Sequence, residues 1–195
     1  MSTQLDNYLT PEEYLALERR AEQKSEYVDG IIYAMSGASL RHNTIVANVI
    51  AEPVQQLKGR NCRVLPSDMK VRMPDSRRFF YPDVSVVCGE PQFHDERSDV
   101  LLNPILIVEV LSESTAAFDR GDKFQAYQQL ESLKEYLLIS EDKNVVEHYV
   151  RQTREVWSYT ATVGLESSLF LPSIECTLSL GATYDKVELN YERTN

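Results

Sequence analysis

The stretch Asn103–Thr115, NPILIVEVLSEST, decides the architecture and poses a problem in electrostatics. Ile105, Leu106, Ile107, Val108, Val110 and Leu111 make a nearly unbroken apolar run, of the kind that fills a strand buried on both faces. Glu109 interrupts it. A carboxylate in such a strand costs several kcal/mol unless a cation or hydrogen bonds compensate. The residues on either side therefore have to supply a counter-charge.

Upstream lies FFYPDVSVV, residues 79–87, in which Asp83 follows Pro82. Proline belongs at the start or edge of a strand, so a strand running through Phe80–Val87 places Asp83 on one face with Ser85 and Val87. In the Glu109 strand, Ile105, Ile107, Glu109 and Leu111 share a face. If the two strands pair, Asp83 and Glu109 converge to about 5 Å. Two carboxylates that close repel unless a proton or a divalent cation lies between them. Oxygen donors suit a hard cation such as Mg2+ or Mn2+.

Downstream, STAAFDRGDKFQAYQQLES reads as a long helix beginning between Thr115 and Asp119. At roughly 100° per residue, Lys123 falls between Tyr127 and Leu130, near the centre of the apolar stripe. A lysine there can snorkel outward or pair with Asp119 four residues earlier. It can also reach the carboxylates, where an ammonium orients a water and offsets charge on a phosphate.

The remaining pattern is α/β, an α+β mixed sheet flanked by helices, read as one domain over residues 1–195. TPEEYLALERRAEQ opens a helix with Thr10 as N-cap and Glu13 completing a capping box. SEYVDGIIYAM is a hairpin turning at Asp29-Gly30. A helix capped by Ser39 runs past Pro53 to Gly59, and strands follow near Cys62–Leu65 and Asp68–Met73. Residues 88–102 are polar enough for a loop. KEYLLIS, NVVEHYV and EVWSY are successive strands, and the last 35 residues hold one more short strand and a helix around Ala182–Leu189.

At 195 residues with 43% hydrophobic and 26% charged residues, the chain is of globular composition. The N-terminus lacks the order of a signal peptide, and no apolar run approaches the roughly 18 residues of a membrane helix. Cys62, Cys88 and Cys176 are odd in number, widely spaced and without a CxxC pair, which argues against both a disulfide framework and a zinc knuckle. Together these features suggest a cytoplasmic protein. Its net charge of −10 argues against general nucleic-acid binding. The segment Lys58–Arg78 is an exception, with seven basic and two acidic residues. Lys70, Arg72, Arg77 and Arg78 within it read either as solvated turns or as a strip for phosphates. His42 near a helix start can cap, pack or approach the site, whereas His94 and His148 suggest no ligand set. GxSxG, Walker and dinucleotide glycine patterns are absent.

YPDVSVV, ILIVEVLSEST and DRGDKFQAYQQLESLKEYLLI, preceded by TPEEYLAL, SEYVDGIIYAM and SLRHNTIVANVI, together resemble the Uma-two family of restriction-endonuclease-like proteins. That family lies within the PD-(D/E)xK nuclease superfamily. The resemblance covers most of residues 8–150 and implies a four-stranded mixed core sheet with magnesium-dependent phosphodiester cleavage. It implies that Asp83 and Glu109 are metal ligands and that Glu26, in KSEYVDG, is a third or acts through water. The superfamily lysine normally lies two residues after the acidic one, where this chain has Leu111. The family moves it to the following helix, here Lys123. The chain departs from the family at Glu113, where proline is common, and around Leu133–Leu137, away from those ligands. The expected protein is an endonuclease acting on DNA with Mg2+ or Mn2+, a homodimer if it cuts both strands of a duplex. The alternative is a catalytically inactive nuclease-fold module that binds nucleic acid or a protein partner.

Overall fold

The computed structural model describes residues 8–189. Helix α1 (Pro11–Glu18) starts at the expected capping box: Glu13 N–H donates to Thr10 Oγ1 at 3.2 Å, and Thr10 N–H to Glu13 Oε2 at 2.8 Å. Strands β1 (Ser25–Val28) and β2 (Ile31–Ala34) pair around a two-residue turn. Asp29 and Gly30 both have positive φ there, 50° and 98°, the turn that Asp-Gly specifies. Helix α2 (Leu40–Gln56) is capped by Ser39, whose Oγ accepts from His42 N–H at 3.0 Å.

Six strands, two short helices and three more strands follow. They are β3 (Cys62–Pro66), β4 (Lys70–Arg72), β5 (Arg78–Phe80), β6 (Val84–Cys88), β7 (Val100–Leu101), β8 (Leu106–Leu111), α3 (Ala116–Arg120), α4 (Asp122–Tyr127), β9 (Glu135–Ser140), β10 (Val145–Arg151) and β11 (Trp157–Val163). The chain continues through β12 (Ser168–Leu171), β13 (Cys176–Ser179) and α5 (Leu180–Thr183).

The main sheet has six strands, in the order β11-β10-β9-β8-β6-β3. It is mixed because β8 and β9 are parallel and its other pairs antiparallel. One face carries Val84, Val86, Leu106, Val108 and Val110 against Ile45 and Val49 of α2, closed by Leu169, Leu171 and Leu178 of the β12–β13 hairpin. The other carries Val87, Ile107, Leu111, Tyr136 and Leu138 against Phe124 and Tyr127 of α4 and a second sheet, β2-β1-β5-β4-β7. β8 is buried along its whole length, as its composition demands.

Four expectations need correction. The strand foreseen over Phe80–Val87 is two strands in two sheets, β5 and β6, and the chain crosses between them at Tyr81-Pro82-Asp83. Pro82 has no N–H to offer a ladder. The long helix after β8 is broken at Gly121, whose φ of −103° and ψ of −105° lie outside the helical region. The C-terminal third holds a hairpin and then a one-turn helix at 180–183, where one strand and a helix over 182–189 were expected. Cys62 and Cys88 form a disulfide: the β3–β6 register puts them opposite each other with Cα atoms 4.0 Å apart. Spacing along the chain carries no trace of that pairing; Cys176 alone is free, and buried. Among the described residues no helix is long and apolar enough to cross a membrane.

Candidate active site

The β6–β8 register pairs Val84 with Val108, which sets Asp83 opposite Glu109. Each then bonds the other's strand. Val110 N–H donates to Asp83 Oδ2 at 2.7 Å, and Asp83 N–H lies 3.4 Å from Glu109 Oε2. Glu26 joins them because β1 pairs with β5, and Tyr81 N–H just beyond β5 donates to Glu26 Oε1 at 3.1 Å.

Lys123 arrives from α4, on the far side of the Gly121 break. Its Nζ is 3.0 Å from both Glu26 Oε1 and Glu109 Oε1, and 3.6 Å from Asp119 Oδ1. The side chain is 7% exposed, so it turns inward instead of snorkelling. The ring of Phe80 lies beneath the ammonium, 5.4 Å away. This answers the problem set by Glu109, since that carboxylate also accepts from the Tyr127 hydroxyl at 2.9 Å. Asp83 has its own partner: His42 Nε2 is 3.0 Å from Oδ1.

Charge balance follows from those distances. One ammonium faces Glu109, Glu26 and Asp119 together. Burial on its own would lower the Lys123 pKa, but the three carboxylates outweigh it and hold the group firmly protonated. Burial pushes the Glu109 carboxyl well up, and Asp119, Asp83 and Glu26 add to the rise against the pull of Lys123. The two directions agree once the stoichiometry is seen: a single cation is over-subscribed, so its proton is secure while a carboxylate's charge is not. Asp119 is likewise raised, chiefly by burial. For His42 burial lowers the pKa, yet the hydrogen bond to Asp83 prevails and raises it.

These groups line one cleft of about 1470 Å3. Its donors are chemically those of a hard divalent cation, carboxylate oxygens from separate elements. In geometry, Lys123 Nζ stands between Glu26 and Glu109, and among the described residues no group of three or more His, Cys, Asp or Glu is placed to hold a metal ion. Asp83 and Glu109 stand opposite each other as the two carboxylates that could face a cation, with Lys123 on Glu109 Oε1, while Glu26 is engaged by Lys123 and Tyr81 N–H.

A family model described as "Putative restriction endonuclease", Uma2, matches residues 11–180. The chain belongs to the Uma2 family. Two relatives in Synechocystis sp. (strain ATCC 27184 / PCC 6803 / Kazusa) are similar to it, each an uncharacterized protein. One, sll1609, is 39% identical over 156 residues, covering 80% of this chain and 88% of its own. The other, slr1290, is 37% identical over 180 residues, covering 90% and 91%. In three dimensions the chain is similar to a protein from Anabaena variabilis ATCC 29413, described as a putative nuclease belonging to DUF820 and solved at 1.96 Å. The TM-score is 0.75 at 19% identity, covering 92% of this chain and 99% of that one, so the fold is shared.

Within this Uma2 chain the structure gathers Glu26, Asp83, Glu109 and Lys123 and disperses the basic strip. Lys70 is interior: its Nζ meets Tyr81 Oη at 3.2 Å and Asp99 at 3.3 Å, so it cannot meet a phosphate. Arg72 is tied to Ser76 and, at 2.6 Å, to His94. Arg77 pairs with Asp29 at 2.8 Å outside the cleft. Arg78 does line the cleft, as does Lys24, which sequence reasoning passed over. His42, read from the sequence as able to cap, pack or approach the site, meets Asp83, and Asp119, read as an i,i+4 ion-pair partner, lies 3.6 Å from Lys123. The sequence places Tyr127 only on the apolar stripe; its bond to Glu109 depends on how the helix meets the sheet.

Proposed function

We propose that this Uma2 protein is a metal-dependent endonuclease that hydrolyses phosphodiester bonds in DNA, with Mg2+, or Mn2+ in its place. The observation that carries the reading is Lys123 Nζ at 3.0 Å from both Glu26 and Glu109, beside the paired Asp83, in an open cleft. Buried lysines that serve packing alone have no reason to collect three carboxylates.

Asp83 and Glu109 would hold the cation, with Glu26 acting through water. Bound there, a divalent cation supplies charge neutralisation at the phosphate oxygens and makes a water more acidic. The protein's own groups supply the positioning. Val110 N–H and His42 fix the two oxygens of Asp83, and Tyr127 and Lys123 fix Glu109 Oε1. The Lys123 ammonium, held by Glu26, Glu109 and Asp119, would set its positive charge against the charge building on the phosphate, and would orient an attacking water where one of those carboxylates gives up its place. The cleft lining holds seven acidic residues against three basic ones, so a phosphodiester is repelled until cations offset that charge.

The test is nicking of supercoiled plasmid with Mg2+ or Mn2+ by the unaltered protein, Asp83→Asn and Glu109→Gln. Cleavage by the first and its loss in both variants is the expected result. Absence of cleavage by the unaltered protein, together with no stabilisation by either cation, would leave the non-catalytic binding module as the account of the fold.

A further inference from the structure

Two large aromatic side chains at the cleft are exposed where the catalytic proposal gives them no task. Tyr33 is 52% exposed and Phe118 37% exposed, and both line the cleft. Their positions are fixed by the site itself. Tyr33 is the cross-strand partner of Glu26 in the β1–β2 hairpin, so both side chains stand on the same face about 5 Å apart. Phe118 precedes Asp119 in α3 and packs edge-on against Phe80, ring centres 6.1 Å apart, the same Phe80 that underlies Lys123. The carboxylate and lysine cluster is thus flanked by one exposed ring beside Glu26 and another beside Asp119. Gln125 and Gln129 add amide groups to the same lining.

We propose that the cleft takes an unpaired DNA strand, its bases stacked on Tyr33 and Phe118 on either side of the bond to be cut. The inference rests on the nuclease reading above and names its substrate class. Aromatic rings bind bases through their π-faces, and those faces are available only when the strand is unpaired. Charge points the same way. A duplex carries one negative charge per about 1.7 Å of axis, a single strand one per about 3.4 Å. A lining with seven acidic and three basic residues suits the sparser charge. Amide side chains then have base edges to meet, which a closed duplex would hide.

The test is fluorescence anisotropy with a fluorescein-labelled oligothymidine, alone and annealed to oligoadenine, with Ca2+ as the only divalent cation. The expected result is binding of the single strand at least about tenfold tighter than the duplex. Stacking of one base corresponds to about 5- to 150-fold in affinity, so Tyr33→Ala and Phe118→Ala should each weaken single-strand binding by about tenfold. Tyr33→Phe, which keeps the ring, should stay within about twofold of the unaltered protein. Equal or tighter duplex binding, or alanine variants that bind as before, would overturn the proposal. Both rings are exposed, and thermal midpoints within about 1 °C of the unaltered protein would show that the variants remain folded. Plasmid nicking without single-strand preference would refute this inference and leave the nuclease; stacking-dependent binding without nicking would do the reverse.

Discussion

Replacing Lys123 with methionine keeps most of its bulk and removes its charge, which isolates the electrostatic role. The ammonium lies 3.0 Å from Glu26 and Glu109 and 3.6 Å from Asp119, so its loss leaves three carboxylates facing one another in the interior. Removing one partner of a buried ion pair costs about 3–5 kcal/mol, and Lys123→Met should fall in that range at neutral pH. Glu109→Gln should behave differently. Burial already drives that carboxyl toward its neutral form, glutamine still accepts from the Tyr127 hydroxyl, and Lys123 keeps Glu26 and Asp119. Its cost should be under about 1 kcal/mol. The double variant should recover about 1 kcal/mol or more relative to the sum of the two, because neighbours in one charge network couple. Urea unfolding measures all three, with the slope recorded beside the midpoint to confirm a common unfolded state. Equal losses for the two single variants, or strict additivity in the double, would refute the idea that one ammonium offsets several carboxylates.

Three further expectations follow from other parts of the molecule. Arg19 donates to both oxygens of Asp99, at 2.9 and 2.7 Å, and holds that carboxyl down at about 2. A lowered folded pKa adds stability above the unfolded value of 3.8, and that stability is lost as pH falls through about 2. Solvent screening at this partly exposed group limits the effect to about 1 kcal/mol. Asp99→Asn should therefore lose that much at neutral pH and converge with the unaltered protein near pH 2; a gap persisting there sinks the argument. Cys62 and Cys88 are 26 residues apart, so opening their disulfide should cost about 3.5 kcal/mol through the freedom regained by the unfolded chain. A denaturant midpoint indifferent to reductant would contradict this. Mg2+ or Mn2+ at about a hundred times its dissociation constant should stabilise the protein by about 2.7 kcal/mol. Thermal unfolding of Asp83→Asn should show no such gain, and an equal gain there would remove Asp83 from the cation site.

Local chemistry was legible because local residues fix it. The Thr10 and Glu13 capping box, the Asp29-Gly30 turn and the Ser39 cap need no distant partner. The convergence of Asp83 with Glu109 was legible for a related reason: a strand's period of two settles faces, and adjacency was the single assumption. Lys123 could be placed by helical angle even though the helix is broken at Gly121, because the break leaves it with Phe124 and Tyr127 on the buried side. What escaped depends on which strand neighbours which. Cys62 meets Cys88, and His42 meets Asp83, through contacts 26 and 41 residues apart in sequence. Lys70 looked like surface charge because nothing nearby announces Asp99 and Tyr81 as its interior partners.

The bond from Val110 N–H to Asp83 Oδ2 has an evolutionary corollary. Asp83 helps to fasten β6 to β8, so a lineage that no longer cut anything would still be selected to keep it for the sake of a folded sheet. Lys123 is held in the same way, since its loss would leave Glu26, Glu109 and Asp119 facing one another in the interior. Both residues therefore outlast the chemistry they could serve. Among descendants of this fold, neither the aspartate at Asp83 nor the lysine at Lys123 gauges a working catalyst by its presence alone.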